Sequence, residues 1–168
     1  MFRSPAQTSS RSNAAANGGF AMAQIQRLSE LMSNQKLLAL ALDLTRRAPR
    51  DVLAPLGAYG AVVARMVDKC RAELAGTPGS YHYNCPLDRT FFRFSGIKAE
   101  DLQRFVATGA RDEEIASWIG ENSRVKDLDR IRSWSRRFRF NPIVLMLQID
   151  DWMHNRRNKA KARPSTTG

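Results

Sequence analysis

Apolar side chains recur at helical spacing over most of the chain, and no stretch alternates between apolar and polar residues as a strand does. The clearest segment is 58–75, whose apolar residues fall within one stripe of about 140°. Arg65, Asp68 and Lys69 lie together off that stripe, so this helix is predicted to have a core face and a separate charged face. Gly76 follows as a C-terminal stop.

The same spacing predicts further helices on both sides of this segment. Residues 23–47 form the first, which Pro49 is expected to end. Residues 76–90 contain Gly and Pro without periodicity and predict an ordered loop. The remaining predicted helices span 86–94, 98–107, 112–119, 124–139 and 142–155.

Local signals at several of these helix ends support the assignment. Asp112 is a candidate N-cap, and Asn141 with Pro142 forms an N-cap and first-turn pair. In the last helix Leu145, Ile149 and Trp152 are predicted to form the inner stripe. The predicted fold is all-α, a compact bundle of about six short-to-medium helices with one ordered loop and disordered tails.

The two ends of the chain are predicted to lie outside the domain. Residues 1–22 are rich in Ser, Ala, Asn and Gly and bury too little to offset their ordering entropy. They read as a disordered tail, as an organelle transit peptide, or as a surplus stretch before an alternative start at Met22. We expect a single helical domain at 23–155 and a basic tail at 156–168.

Composition excludes several classes of protein. At 168 residues and 18.9 kDa the chain has the size of one domain, and no apolar run approaches the ~18 residues of a membrane span. We therefore expect a cytoplasmic protein with no membrane partner. Two cysteines cannot form a disulfide framework, and no nucleotide-phosphate, dinucleotide or common zinc motif is present, so no cofactor and no metal is predicted.

The net charge of +11 is concentrated in one region. Residues 1–42 carry +3, residues 43–120 carry +1, and residues 121–168 carry +7. The middle of the chain is thus nearly neutral, and the C-terminal third holds most of the basic excess.

Motifs in the neutral middle resemble a known family. DLT at 43–45, PR at 49–50, ARMVDKCRAELAG at 64–76, GSYHYNCPLD at 79–88 and FFRFSGI at 91–97 are similar in order and spacing to a bacterial family of domains of unknown function, number 5069. The resemblance is dense over about 55 residues and extends to about residue 120. This family has no established activity, so the resemblance implies no mechanism.

The first candidate site joins the charged helix face to the loop that follows it. A pocket lined by such side chains could bind a small anion or carboxylate. In the alternative reading Asp68 only pairs with Arg65 or Arg71, and the polar residues of the loop only cap the next helix. The predicted ligand-binding residues are Arg65, Asp68, Lys69, Tyr81, Asn84 and Asp88.

The second candidate is a reactive thiol at Cys85. Pro86 suits a first helical turn, which places Cys85 at an N-cap where the helix dipole favours a thiolate. His82 is a candidate base three residues earlier. A buried structural cysteine is the alternative, and Cys70 within the apolar stripe is expected to be structural. The adjacent Asp150 and Asp151 face different directions on a helix and receive no catalytic role.

The third candidate is a polyanion surface in the basic C-terminal third. Arginines on the 124–139 helix and in the following tail could neutralise several phosphates of a nucleic acid without reading its sequence. A solvated, solubilising surface is the alternative. The candidate residues are Arg132, Arg136, Arg137, Arg156 and Arg157.

Overall fold

The computed structural model describes the backbone of residues 10–161, and within that range all side chains except those of 10–21, 143, 150, 154 and 157–161. The all-α prediction is confirmed, because the described residues form seven helices and no strand. These helices are α1 (Ser10–Leu40), α2 (Val63–Leu74), α3 (Pro86–Ser95), α4 (Ala99–Ala107), α5 (Asp112–Asn122), α6 (Leu128–Arg136) and α7 (Pro142–Lys161).

The bounds of α1 differ from the predicted 23–47. The helix begins at Ser10, and it ends at Leu40 because a turn at Asp43 replaces its last predicted residues. The Asp43 carboxylate accepts hydrogen bonds from the Thr45 amide at 3.0 Å and the Thr45 hydroxyl at 2.5 Å. The predicted tails fall partly on 1–9 and 162–168, which lie outside the described residues.

The start of α2 also differs from its prediction. Residues before Val63 form a tight turn in which Leu56 and Tyr59 exchange backbone hydrogen bonds of 2.9 and 3.1 Å. Val62 then has a φ of 68°, which is unfavourable for a β-branched residue. Its amide donates to the Val52 carbonyl at 2.6 Å, so packing and this bond hold the conformation that starts the helix.

Caps set the bounds of the shorter helices. The N-cap of α5 is Arg111 and not Asp112, because the Glu114 carboxylate accepts the Arg111 amide at 2.7 Å. The predicted 124–139 helix begins later, as α6, where the Asp127 carboxylate accepts two amides of its first turn. Gly76 follows α2 as predicted, and Gly96 follows α3, both with positive φ.

The core lies around α2, whose residues from Val63 to Ala72 are all buried. An aromatic cluster covers one side of it. Tyr59 meets the edge of Phe91 at 5.2 Å between centroids, and Trp134 stacks on Phe94 at 5.0 Å. Surrounding segments thus cover α2 up to Ala72, and its last turn reaches solvent at Glu73.

The inner stripe predicted for the last helix is wrong. Leu145, Ile149 and Trp152 are at least half exposed on α7. Val144 is buried and Leu147 packs against the core, so a different side of α7 faces inward. Nothing among the described helices is both long enough and apolar enough to span a membrane.

Candidate functional site

Helix α2 buries its charged side chains. Arg65, Asp68, Lys69 and Arg71 are each no more than 4% exposed. The charged face predicted from the sequence therefore exists, but surrounding segments cover it. A buried ion is stable only when an opposite charge and further hydrogen bonds compensate its lost hydration, so each of these groups needs a partner.

The partner of Arg65 comes from α7. The two terminal nitrogens of Arg65 donate to the two carboxylate oxygens of Asp151, at 2.5 and 2.9 Å. The Tyr81 hydroxyl donates to the same carboxylate at 2.9 Å, and the Arg65 guanidinium lies 5.4 Å from the Tyr81 ring centre. One carboxylate is thus held by a planar two-pronged donor and a phenol.

The partner of Lys69 comes from the first turn of α3. The ammonium lies 2.8 Å from both carboxylate oxygens of Asp88 and 3.1 Å from the Cys85 sulfur. Burial raises the pKa of Asp88, and the charge and hydrogen bonds of Lys69 offset this only in part. Asp88 also accepts the Cys85 amide at 3.4 Å, so it ties α2 to the cap of α3.

Asp68 pairs with Arg50, and not with Arg65 or Arg71. Arg50 donates to it from its backbone amide and its guanidinium, with distances from 2.7 to 3.0 Å. Burial lowers the pKa of Arg50, but Asp68 and Asp112 outweigh it and the net shift is upward. Asp112 accepts from both Arg50 and Arg71, at 2.5 and 2.7 Å.

Arg65 and Lys69 line a cleft of about 230 Å³, which we call the α2 cleft. Tyr81 and His82 contribute from the loop, and Cys85 contributes from the cap of α3. The full lining is Arg65, Lys69, Ser80, Tyr81, His82, Cys85, Leu87 and Leu147.

Three predicted ligand-binding residues do not line this cleft. Asp68 lies under Arg50, and Asp88 lies behind Lys69 with none of its surface exposed. Asn84 has a φ of 56°, a conformation that asparagine tolerates better than most residues. Its carbonyl accepts from Arg89 at 3.0 Å, so its described role is to shape the loop.

The two residues of the thiol prediction, Cys85 and His82, line the same cleft. Cys85 is the N-cap of α3, as predicted, and its sulfur accepts from Lys69. In the described structure no hydrogen bond joins His82, which is exposed, to Cys85. Cys70 is fully buried, and burial followed by the charge of Glu73 raises its pKa to about 12.

Residues 46–144 match the sequence pattern of DUF5069, a domain of unknown function. The chain belongs to this family. The match covers most of the chain and includes every cleft residue except Leu147. No curated protein shows significant similarity to the chain.

Sequence reasoning missed three members of the charged network. Arg50 and Asp112 lie within the DUF5069 segment, and Asp151 lies beyond it. Each reaches α2 from a distant part of the chain, so no local spacing indicates the contact. The sequence did carry one signal, because four charged residues fall within residues 65–71 of α2. If that helix lies in the core, each of these charges needs an oppositely charged partner from another segment.

The predicted polyanion residues divide into separate groups. Arg132 and Arg136 line a cleft of about 270 Å³, which we call the arginine cleft. Its other lining residues are Ala58, Gly60, Ser135 and Arg139. Arg137 is exposed beside it and is not part of its lining. On α7, Arg156 lies 4.6 Å from the centre of the Trp152 ring, and the Arg157 side chain lies outside the described residues.

A larger cleft of about 530 Å³ lies between α4 and α5 within the DUF5069 segment. Its walls include Phe105 and Trp118, whose rings stack at 5.2 Å, and its charged groups are Lys98, Asp101 and Arg104. Arg104 pairs with Asp101, and both are exposed. In the described residues no three His, Cys, Asp or Glu side chains converge as a metal site requires.

Proposed function

We propose that this protein binds a small organic anion in the α2 cleft. One observation carries the proposal: two buried cations, Arg65 and Lys69, lie one helical turn apart and both line the same open cleft. The cleft volume of about 230 Å³ lies below the roughly 300–1,000 Å³ of pockets that hold drug-sized ligands. That size favours a small molecule over a peptide or a nucleotide.

The lining has two chemically different parts that suit such a ligand. Arg65, Lys69 and Tyr81 present donors, which bind anionic oxygens. Leu87 supplies an apolar wall for an attached carbon skeleton. In this proposal Cys85 forms part of the cleft wall and is not a nucleophile, because its sulfur accepts a hydrogen bond from Lys69 and not from a general base.

Calorimetric titration with acetate, succinate and inorganic phosphate tests this proposal. We expect at least one of these anions to bind and Tyr81→Phe to weaken binding by roughly threefold to tenfold, as the loss of one hydrogen bond to a charged group implies. Tyr83→Phe is the matched control. It removes a hydroxyl that donates to the Ala99 carbonyl at 2.9 Å, away from the cleft.

Thiol labelling supplies a second readout of the same site. Cys85 lines the cleft and Cys70 is fully buried, so a bound anion should slow labelling of Cys85. Labelling of Cys70 should stay slow with or without the anion. Binding that is unaffected by Tyr81→Phe and leaves Cys85 labelling unchanged would place the anion elsewhere and contradict the proposal.

A second candidate function is binding of a polyanion at the arginine cleft. Arg132, Arg136 and Arg139 come from successive turns around the end of α6 and converge on one cleft, which favours phosphate contacts over a merely solvated surface. Arg132 pairs with Asp129 at 3.3 Å, but both side chains are mostly exposed, so this pair competes weakly with a phosphate.

Binding of a generic duplex RNA at several salt concentrations tests the second candidate. We expect little sequence preference, an affinity that falls linearly on a log–log plot against salt, and a smaller slope in the Arg132→Gln, Arg136→Gln double variant. The control is Arg104→Gln, which neutralises an exposed arginine on α4. An equal slope in the double variant and the control would exclude this cleft.

A further inference from the structure

The Arg65 guanidinium, which lines the α2 cleft, is already paired with a carboxylate from the same chain. The Asp151 carboxylate receives both terminal nitrogens of Arg65 and the Tyr81 hydroxyl. Its side chain is 13% exposed, and that of Arg65 is 3% exposed. This is the arrangement by which a protein holds the carboxylate of a bound molecule, with a paired donor on both oxygens and a third donor on one.

The two sides of this contact come from different parts of the chain. Arg65 and Tyr81 lie within the family match at 46–144, and Asp151 lies beyond its end. The donors therefore lie within the family segment and their acceptor lies outside it. A guanidinium at this buried position requires an anion, so within the family segment alone the site is incomplete without an external one.

Helix α7 is attached by few contacts. Asn155 accepts the Ala48 amide at 2.8 Å, and Gln148 donates to Asp51 at 2.9 Å. Apart from Val144 and Leu147, its described large apolar side chains are exposed. Movement of α7 beyond Leu147 would therefore expose little buried apolar surface. The main free-energy cost of separating Asp151 from Arg65 is the loss of the polar contacts that Asp151 makes.

We propose that Asp151 is an internal substitute for the ligand, that the ligand is a small organic carboxylate, and that it binds by displacing Asp151 from Arg65 and Tyr81. This inference rests on the proposed anion-binding function of the α2 cleft. The carboxylate class follows from the occupant, since two oxygens in one plane match the two prongs of Arg65. Leu87 then faces the carbon chain.

Removal of the internal carboxylate tests the inference. Asp151→Asn keeps the size of the side chain and removes its charge, so acetate and succinate should bind about tenfold more tightly or better than to the unaltered protein. Asp151→Glu retains a carboxylate and should bind like the unaltered protein. Glu113→Gln removes one charge at an exposed position of α5 and should not change the affinity.

Thermal unfolding keeps the test informative if Asp151→Asn is unstable. Acetate should raise the Tm of Asp151→Asn more than chloride does at the same ionic strength, because it replaces the missing partner of Arg65. The Tm of the unaltered protein should respond to acetate much less. A variant that acetate does not stabilise beyond chloride would overturn the inference.

The outcomes separate this inference from the proposed function. Equal affinity of the unaltered protein and Asp151→Asn for acetate would overturn the inference and leave anion binding in the cleft intact. Tighter binding of inorganic phosphate than of either carboxylate by Asp151→Asn would overturn the ligand class. Absence of binding by any probe to either protein would overturn the proposed function itself.

Discussion

Asp112 lies between two guanidinium groups and illustrates how one side chain can join distant segments. It accepts from Arg50 at 2.5 Å and from Arg71 at 2.7 Å. Partial burial raises its pKa, but the two arginines lower it by more, so the net shift is downward. Ionisation of the Asp112 carboxylate is therefore more favourable in the folded protein than in the unfolded chain, and it stabilises the fold.

This shift predicts how Asp112→Asn depends on pH. The stabilisation from a lowered pKa is present above the unfolded value of about 3.9 and is lost as the pH falls through the lower folded value. At pH 7 the variant should lose about 1–2 kcal/mol of unfolding free energy, the worth of charged hydrogen bonds reduced for partial exposure. Urea unfolding at pH 7 and near pH 3 measures the difference.

The control for this prediction is Asp129→Asn. Asp129 pairs with Arg132 at 3.3 Å, and its side chain is 90% exposed, so the substitution should change stability by less than about 0.5 kcal/mol at either pH. The loss in Asp112→Asn should shrink toward zero at low pH. An equal loss at both pH values would show that the effect is steric.

The loop between α2 and α3 is positioned by a close backbone contact at Gly79. This residue has a φ of 58°, and a Cβ built on it would lie 2.5 Å from the Leu44 carbonyl oxygen. Leu44 in turn donates from its amide to the Thr77 carbonyl at 3.0 Å. The segment after α1 therefore sets the course of the loop that carries Tyr81 and His82 to the cleft.

Substitution of Gly79 tests the importance of that contact. Gly79→Ala should lower the free energy of unfolding by about 2 kcal/mol or more, because it combines an unfavourable φ with a clash against backbone. Gly120→Ala is the matched control, since its Cβ meets nothing within 4 Å and α5 is helical there. The control should be neutral or stabilising by up to about 1 kcal/mol. Thermal or urea unfolding of both variants measures these changes. Equal stability of Gly79→Ala and Gly120→Ala would contradict the proposed role of Gly79.

At the scale of the whole molecule, the charges of the network around α2 balance, whereas those of the remaining residues do not. Each of the four cations Arg50, Arg65, Lys69 and Arg71 contacts at least one of four carboxylates. This network is neutral as a set, so the formal +11 of the chain resides in its other residues. Any polyanion would meet that excess at the surface, where salt screens it.

The sequence predicts much of the fold because local rules act within each helix. The helices α3 and α4 begin within one residue of their predicted positions, and Pro142 begins α7 as expected. Those bounds depend on proline, glycine and periodicity, which are visible in a short window. The predicted inner stripe of α7 failed because apolar residues at helical spacing do not show which side of a helix meets the core.

The candidate site is predictable in part for the same reason. Arg65, Lys69 and Tyr81 are placed near one another by a helix and the loop that follows it, and all three line the cleft. The positions of Asp68 and Asp88 outside the cleft lining were not predictable, because both depend on which segment covers α2. The spacing of residues in the sequence does not indicate that Arg50 pairs with Asp68.

The amino-acid sequence by itself determines the helical class, about half of the helix ends, the family resemblance and the residues that can form an anion site, since each depends on neighbours within about one or two turns. Only the tertiary structure decides that α2 is central, that its charges are buried, and that Asp151 reaches Arg65 across 86 positions of sequence. The physical reason is that a buried charge takes its partner from whatever segment packs against it. Which segment packs there depends on the packing of the whole chain and not on the residues next to that charge in the sequence.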